Sequence, residues 1–387
     1  MHDTVRDMPA TDAHLDSVSS AQSGETRSLN IAYLCLQVTK EGQASHAHVH
    51  EIISGLRELG HTVTLYEPRH LRHYGPLVRA WEFYKTQSRL RREAADADVI
   101  YCRAHFATRM TSKWARRQGI PMVLEVNGPY EDLFIAWPKT RFLRQFFEWL
   151  MGTEYRNADA LLTVTGGLQS WLAHETGRDD VRVVPNGANH RLFHPGVPRI
   201  EGLPDRYVAF VGSLARWQGI PYMLAAMSEP QWPADVMLLI AGDGAERDMV
   251  EEAARVNERV VYLGKRPYAD IPAILCSSIA SLVTMTDLCD RASTGLSPLK
   301  LYEAMACAVP AITTDFPGQA ELLRDERCGI LIPSEDPKAI ADAVEALAAD
   351  PEEAHAMGAR GRIAIEREHS WARRAEQTAA ILDSAAR

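Results

Sequence analysis

Two successive series of alternating strands and helices dominate this chain of 387 residues. Short apolar runs such as LNIAYLCLQ (29–37), DVIYCRA and ALLTVTG alternate with segments of helical period. Strands that alternate with helices indicate a parallel sheet with helices on both faces. The series restarts at RYVAFVG after a stretch rich in proline, glycine and charge. The sequence therefore predicts an α/β protein with two doubly wound, Rossmann-like domains that face each other across a central cleft.

The same pattern sets the expected domain boundaries. Residues 1–28 show no periodicity and no apolar run, which is typical of a disordered tail. We expect a first domain over 29–198 and a second over 199–370. The helix predicted over 371–387 could cross back to the first domain.

Composition excludes several classes of function. The formal net charge of −9 argues against a nucleic-acid surface. No apolar run approaches the ~20 residues that span a bilayer, and the first 28 residues lack the core of a signal peptide. The 6 cysteines are scattered without the spacing of a zinc or redox motif, which is typical of reduced thiols. We therefore expect a soluble, cytoplasmic protein that meets at most the surface of a membrane.

The strongest candidate site is the stretch GLSPLKLYEAMACAVP (295–310), a predicted helix that follows an apolar strand. Ser297 is predicted to be its N-cap and Pro298 its first helical residue. The amides of Leu299 and Lys300 then lack partners inside the helix. Together with the helix dipole and the lysine charge, they favour a bound anion.

A carboxylate lies one turn deeper, because Glu303 shares a helix face with Lys300. It can accept hydrogen bonds from two vicinal ribose hydroxyls. A phosphate at the amides and a ribose at Glu303 would suit a nucleoside-diphosphate sugar. The alternative is a Lys300–Glu303 ion pair on a solvated helix face, with Ser297 serving only as a cap.

Six short motifs occur in order along the chain. They are GHTV, LEVNGP and VPNGAN in the first half, and GSLARWQG (212–219), GDG (242–244) and SPLKLYEAMACAVP in the second. Between about Asn30 and Trp371 the chain resembles the family-four retaining glycosyltransferases of GT-B fold. The resemblance implies a nucleotide-sugar donor, most commonly a UDP-sugar, held mainly by the second domain. It also implies an acceptor held mainly by the first domain, retention of anomeric configuration, and no need for a metal or other cofactor.

The resemblance assigns Glu303 to the ribose and the amides of Leu299 and Lys300 to the diphosphate. We expect Lys300, Arg216 and Glu303 to be the catalytic residues. The full set of expected donor contacts is Gly212, Ser213, Gly242, Gly244, Arg266, Ser297, Pro298, Leu299, Lys300 and Glu303. Fixed amides and cations could stabilise the charge that develops on the leaving diphosphate, as a divalent metal does in other transferases.

Two departures from the family pattern affect the donor site. The family often has an acid eight residues before the glutamate, where this chain has Gly295, and Asp287 or Asp290 could substitute for it. In the glycine-rich loop, Ser213 and Gln218 stand where the family often has arginine and lysine. Arg216 is then the available cation of that loop.

Candidate acceptor contacts lie in the first domain, where loops follow predicted strands at the cleft. They are Gly42, Gln43, Ser45, Glu125, Asn127 and Glu131. The region around Glu131 and Asp132 is acidic and aromatic, which would suit a cationic or sugar-like acceptor. Relatives that glycosylate aminocyclitols in aminoglycoside antibiotic pathways have such acceptors, so a small polar acceptor of this kind is one hypothesis.

Three histidines, His46, His48 and His50, suggest a metal site at first sight. On a helix His48 does not share a face with the other two, and no third ligand accompanies them. We therefore expect no metal there.

A basic and aromatic stretch supports a different acceptor. Its members are Arg69, Arg72, Arg79, Lys85, Arg89, Arg91 and Arg92, with Tyr74, Trp81, Phe83 and Tyr84 between them. A basic amphipathic helix can lie on an anionic membrane, which would suit a lipid-linked or cell-surface glycan acceptor. The alternative is a solvated helix that packs by its aromatic side.

Two other classes of function stay open at this point. The segment GDGAER could belong to a dinucleotide fingerprint, although Arg247 occupies the place of the third glycine. A non-catalytic sugar-nucleotide sensor is also possible, because the family's first acid is absent.

Overall fold

The fold consists of two parallel sheets of six strands each, one after the other along the chain. The computed structural model describes residues 27–39, 43–69, 75–287 and 291–387. Every strand pairing within the two sheets is parallel, and helices connect the strands. This confirms the predicted α/β class with two doubly wound halves.

The first sheet has the strand order β2-β1-β3-β4-β5-β6. The winding therefore reverses between β1 and β3, which lie side by side at its centre. Its strands are β1 (Asn30–Cys35), β2 (Thr62–Tyr66), β3 (Val99–Arg103), β4 (Met122–Val126), β5 (Ala160–Thr163) and β6 (Arg182–Val183).

The helices of the first half cover both faces of this sheet, so its central strands are almost completely buried. The helices are α1 (Ala44–Glu58), α2 (Pro76–Glu93), α3 (Arg109–Gln118), α4 (Glu131–Ala136), α5 (Arg144–Asn157) and α6 (Gly166–Thr176).

The second sheet is also parallel and six-stranded, but its strand order is different, β12-β11-β10-β7-β8-β9. Its strands are β7 (Tyr207–Val211), β8 (Met237–Ala241), β9 (Val260–Tyr262), β10 (Ala280–Val283), β11 (Ala311–Thr314) and β12 (Gly329–Ile332). Its helices are α7 (Ile220–Ala226), α8 (Arg247–Val256), α9 (Ile271–Cys276), α10 (Leu299–Ala306), α11 (Gln319–Glu326), α12 (Pro337–Ala349) and α13 (Pro351–Ala364).

Local sequence explains where several helices start. Thr165, Asp336 and Asp350 are N-caps whose side chains accept a hydrogen bond from an amide of the first turn. Pro337 and Pro351 follow two of these caps at the first helical position, where the missing N–H costs nothing.

The connection between the two halves is itself packed. Ala188 and Phe193 lie between β6 and β7 and are buried in the core of the second half. The ring of Phe193 contacts Tyr268 with centroids 5.3 Å apart. The connecting stretch, which is rich in proline, glycine and charge, is therefore anchored to the second half through Phe193.

The chain returns to the first half in its last helix, α14 (Trp371–Ala385), which packs against α1. A Cβ atom on Gly55 of α1 would lie 2.4 Å from the Cβ of Ala375, so only glycine permits this close approach. In the part of the chain that the structure describes, no helix has the length and apolar character required to pass through a bilayer.

The outgoing and returning segments are hydrogen-bonded where they cross between the halves. The amide of Ala188 donates to the carbonyl of His369 at 3.0 Å, and the amide of Trp371 donates to the carbonyl of Ala188 at 3.1 Å. The two segments that connect the halves, one near Ala188 and one near His369, therefore lie side by side.

Candidate active site

The two predicted donor motifs meet at one edge of the second sheet. The winding of this sheet reverses between β7 and β10, which pair with each other. Ligands of doubly wound sheets bind at the carboxyl ends of strands at such a point. The glycine-rich loop 212–219 follows β7, and α10 comes after β10. We call this edge the switch-point site.

Helix α10 begins one residue later than the sequence predicts. Pro298 is its N-cap, with an extended backbone at φ −72° and ψ 129°. The Ser297 hydroxyl instead accepts a hydrogen bond from the amide of Asn186 at 3.2 Å and lies 3.0 Å from the Tyr302 hydroxyl. The prediction of Ser297 as the N-cap is therefore wrong, because its side chain contacts the first half rather than the helix amides.

The first amides of α10 remain available. Leu301 donates its amide hydrogen to the carbonyl of Pro298 at 3.1 Å. Among the described residues, no such backbone bond starts from Leu299 or Lys300. Two N–H groups at a helix start favour a bound anion.

Lys300 is packed into the end of β7. Its ammonium donates to the side-chain oxygen of Gln218 and lies 4.0 Å above the ring centre of Phe210. A Cβ on Gly212 would stand 3.2 Å from the same nitrogen. Burial lowers the pKa of Lys300 to about 7. A phosphate at this position would restore the full lysine charge, because an opposite charge favours the ionised form.

Glu303 is a buried carboxylate, 8% exposed. Its Oε1 accepts a hydrogen bond of 2.7 Å from the hydroxyl of Tyr268. Burial raises the pKa of Glu303 to about 7, although Tyr268 and Lys300 oppose the shift. The alternative of a Lys300–Glu303 ion pair on a solvated face is wrong, because the carboxylate is buried and its short contact is with Tyr268.

Glycines allow the loops after β7 and β8 to touch. A Cβ on Gly242 would lie 1.8 Å from the carbonyl oxygen of Gly212, and one on Gly244 would lie 2.5 Å from that of Leu214. These distances exclude any side chain at either position. The close packing forms the floor of the switch-point site.

Three predicted donor contacts lie at the surface. Ser213 is exposed in the glycine-rich loop, and Arg266 is exposed after β9. The Arg216 side chain is 82% exposed and has its Nε 3.9 Å from Glu246 Oε1. Within the described residues, none of the three contacts Lys300 or Glu303 by a hydrogen bond or ion pair.

The backbone explains why glycine occupies position 295. Gly295 has φ +83°, and a Cβ there would stand 3.1 Å from the side chain of Thr165. An acid at this position would be strained and crowded. Of the proposed substitutes, Asp287 accepts a hydrogen bond from the amide of Ala292 at 2.9 Å, and Asp290 lies outside the described residues.

In the first half, Glu125 is the centre of a closed polar network. His48 Nε2 and Arg103 Nη1 each lie 2.9 Å from its Oε1, and the hydroxyl of Tyr101 donates to its Oε2. The side chain of Asn127 also donates to this carboxylate. Burial opposes ionisation, but His48 and Arg103 hold the pKa of Glu125 well below its ordinary value.

Glu125 therefore cannot serve as a free acceptor contact, and that prediction is corrected. Its oxygens already bind four side chains. His48 belongs to the same network: its Nε2 contacts Glu125, and its Nδ1 lies 2.8 Å from the side-chain oxygen of Asn186. The rings of His46 and His50 contact each other in a tilted arrangement, with centres 4.1 Å apart and planes at 33°.

A cavity of about 850 Å³ opens at the carboxyl ends of β1 and β3, the switch point of the first sheet. Burial lowers the pKa of one lining residue, His105, to about 4, so it is neutral. Its other lining residues include Gln37, Gln43, Arg79, Phe83, Arg103, Phe106, Asn127, Asp132, Trp137 and, from the second half, Trp217.

The other predicted acceptor residues have different positions. Gln43 precedes α1 at this cavity, whereas Ser45 lies within the first turn of α1. Gly42 lies outside the described residues, as do Arg72 and Tyr74 of the basic stretch.

The acidic side chains near the cavity are neutralised by arginines. Arg144 pairs with Glu131, and Arg291 of the second half pairs with Asp132. These ion pairs offset negative charge that a cationic acceptor would need, and the cationic or sugar-like acceptor stays a prediction.

Comparison with known families decides between the classes of function. A family model described as "Glycosyl transferases group 1" matches residues 205–350, and one described as "Glycosyltransferase Family 4" matches residues 45–192. Together they cover more than half of the chain. Both matches identify the chain as a glycosyltransferase. They favour glycosyl transfer over the dehydrogenase alternative.

Two curated proteins are similar to this glycosyltransferase at low identity. It is 28% identical to the alpha-maltose-1-phosphate synthase of Mycolicibacterium smegmatis, over 61% of this chain and 66% of that protein. It is 26% identical to the alpha-D-kanosaminyltransferase of Streptomyces kanamyceticus, over 74% of this chain and 78% of that protein.

Solved structures establish the fold of this glycosyltransferase as GT-B. The Anabaena protein Alr3699/HepE, solved in complex with UDP-glucose, superposes with a TM-score of 0.70 at 18% identity. The superposition covers 92% of this chain and 100% of that one.

Sequence reasoning missed four residues that shape the site of this glycosyltransferase. Gln218 binds Lys300, Tyr268 binds Glu303, and Asn186 and Arg291 join the two halves. The sequence could have indicated Gln218, because it occupies a position where the family often has lysine. The other three contacts span more than thirty residues of sequence, and no local pattern marks them.

Proposed function

We propose that this glycosyltransferase moves a hexose or N-acetylhexosamine from a nucleoside-diphosphate sugar to a hydroxyl group of an acceptor. We propose UDP as the nucleotide, retention of the anomeric configuration, and independence of metal ions. The observation that carries the proposal is the buried carboxylate of Glu303, one turn behind Lys300 at the switch-point site. The likeness in fold to a protein solved with UDP-glucose supports the choice of nucleotide.

Glu303 binds the ribose in this proposal. A carboxylate can accept several hydrogen bonds, so the phenol of Tyr268 leaves capacity for two vicinal hydroxyls. Hydrogen bonds to the ionised form lower a carboxyl pKa. Binding of the donor therefore draws Glu303 from a pKa of about 7 towards its charged state.

Lys300 and the amides of Leu299 and Lys300 bind the diphosphate. When the bond from the sugar C1 to the diphosphate oxygen breaks, negative charge grows on that oxygen. Donors that are already fixed stabilise this charge without reorganising. Gln218 and the ring of Phe210 fix the lysine ammonium. Arg216 is the second cation, and its exposed side chain can turn towards the phosphates.

The acceptor binds in the cavity of the first half, with its hydroxyl directed towards the switch-point site. The aromatic rings of Phe83, Phe106 and Trp137 suit the apolar face of a sugar or cyclitol ring, while Gln43 and Asn127 can bind hydroxyls. The likeness to a kanosaminyltransferase supports an aminocyclitol only weakly. The neutralised acidic residues do not favour a cationic acceptor.

A panel of sugar nucleotides tests the proposal. A true donor should raise the melting temperature, since a ligand that binds only the folded state stabilises it. With an acceptor, it should also yield free nucleoside diphosphate. Proton NMR of the first-formed product should show the donor's own anomeric configuration. Binding without release of nucleoside diphosphate would identify a sensor, and an inverted product would refute retention.

A further inference from the structure

Large apolar side chains are exposed on one part of the first half. Of the fourteen such side chains in the described part of the chain, nine lie in α2 and in residues 137–149. Phe142 is 91% exposed and Leu77 is 86% exposed. We call this set the apolar rim: Leu77, Val78, Trp81, Tyr84, Trp137, Phe142, Leu143, Phe146 and Trp149.

The rim borders the acceptor cavity through Trp137. The guanidinium of Arg79 in α2 lies 4.2 Å from the ring centre of Trp137, and both residues line the cavity. The ring of Phe106 contacts Phe83 of α2 and Phe147 of α5, with centres 6.2 Å and 5.4 Å apart. Phe106 therefore bridges the segments that carry the two parts of the rim, and it lines the cavity together with Phe83.

The segments that carry and flank the rim are basic. Helix α3 contacts both α2 and α5. Residues 76–93, 109–118 and 137–149 together contain twelve lysines and arginines against three glutamates, in a chain whose net charge is −9. Lys139 and Arg141 are exposed within the rim itself. The formal charge of these three segments is thus positive, opposite in sign to that of the whole protein.

We propose that the apolar rim docks on a membrane surface that contains anionic lipids. Phe, Trp and Leu side chains can enter the boundary between headgroups and acyl chains, while lysine and arginine stay at the level of the phosphates. Phe142 and Leu77 protrude instead of lining a groove, which suits insertion into a fluid surface. Docking would place the mouth of the acceptor cavity at the bilayer, within reach of a lipid-anchored acceptor. That last consequence rests on the proposed function, whereas docking itself does not.

Sedimentation with vesicles tests the proposal. The wild-type protein should sediment with vesicles of phosphatidylcholine and phosphatidylglycerol, bind pure phosphatidylcholine far less, and dissociate at high salt. Phe142→Ser with Trp149→Ser should lower the partition coefficient about tenfold or more. The matched control is Val256→Ser with Ile363→Ser, two exposed apolar residues of the second half, which should bind like wild type.

A charge variant separates the electrostatic contribution to docking from the apolar one. Lys139→Glu with Arg141→Glu should abolish the preference for anionic vesicles. Equal partition of wild type and both rim variants, or no sedimentation of the wild type, would overturn the proposal. So would dimerisation by light scattering that the Phe142 variant abolishes while vesicles stay unbound, because the rim would then join two copies. Calorimetry of UDP binding, which docking does not require, reports separately on the proposed function.

Discussion

The hydroxyl of Tyr268 donates a hydrogen bond of 2.7 Å to the buried carboxylate of Glu303. This contact orients the carboxylate before any donor is present. A preoriented acceptor loses less freedom on binding, so more of the hydrogen-bond energy appears as affinity. The first prediction concerns this side chain.

Replacing Glu303 by glutamine should weaken donor binding. The amide has one acceptor oxygen and no charge, and loss of charge-assisted hydrogen bonds costs about 1.5–3 kcal/mol. We expect the affinity for UDP to fall roughly ten- to a hundredfold by calorimetric titration. Glu345→Gln, at an exposed position in α12, is the matched control. Undiminished affinity in the Glu303 variant would remove the ribose assignment.

Replacing Lys300 by alanine should lower turnover more than donor affinity. Its charge matters most when the diphosphate leaves, which is a property of the transition state. Steady-state rates and calorimetry on the same variant separate the two effects. Lys338→Ala, at an exposed lysine of α12, should leave both quantities unchanged. A variant with normal turnover would show that Lys300 only packs against Phe210.

The stability of the protein should depend on pH through Glu303. Burial raises its pKa from 4.5 to about 7, so between these values the folded protein retains a proton that the unfolded chain releases. The contribution of Glu303 to the free energy of unfolding is therefore fully present below pH 4.5 and is lost as the pH rises towards 7. The lowered pKa of Lys300 affects stability over a different range of pH. Burial of the lysine charge destabilises the folded state by a constant amount below pH 7, and this destabilisation declines as the pH rises above 7.

Thermal melts of wild type and Glu303→Gln check this sign. The melting temperature of wild type relative to the variant should fall between pH 4.5 and about 7. A parallel pH profile for the two proteins would mean that Glu303 titrates like an exposed glutamate.

Substitution of Gly295 should destabilise the contact between the halves. Gly295 and Gly202 have similar angles, φ +83° and +85°, but only Gly295 is crowded, by Thr165. Alanine at either should cost about 1–2 kcal/mol for its backbone conformation. Gly295→Ala should cost more, because Thr165 donates to the carbonyl of Thr294 at 2.7 Å and would have to move. Denaturant unfolding compares the two, and equal losses would argue against this contact.

Transfer should survive chelation. Amides and cations replace a metal in the proposed mechanism, so EDTA should leave the rate of nucleoside diphosphate release nearly unchanged. Loss of activity on chelation, restored by magnesium or manganese, would contradict the assignment of Lys300 and the helix amides.

Local patterns predicted much of the architecture and part of the site. Alternation of apolar runs and helical segments identified both sheets, because a parallel strand buried on both faces requires an unbroken apolar run. The spacing of Lys300 and Glu303 correctly placed them together on one helix at the edge of the sheet. These inferences depend on residues close together in sequence, where the period of a helix or strand decides which side chains meet.

Contacts between distant segments could not be predicted in the same way. The sequence predicts Glu125 as an acceptor contact, but its partners His48, Tyr101 and Arg103 come from other elements. Ser297 was interpreted as a cap, but it binds Asn186, 111 residues away. Whether a polar side chain serves a ligand or another part of the protein depends on tertiary packing, which one sequence does not reveal.

The paired crossings at Ala188 and His369 limit how the two halves can move. Each half is joined to the other by two segments of chain, and hydrogen bonds fasten those segments to each other. Sliding of one half along the other would break this fastening, whereas rotation about it would not. The paired crossings therefore act as a hinge between the two halves. Opening of the cleft about this hinge, to exchange donor and product, requires the Asp132–Arg291 ion pair to break.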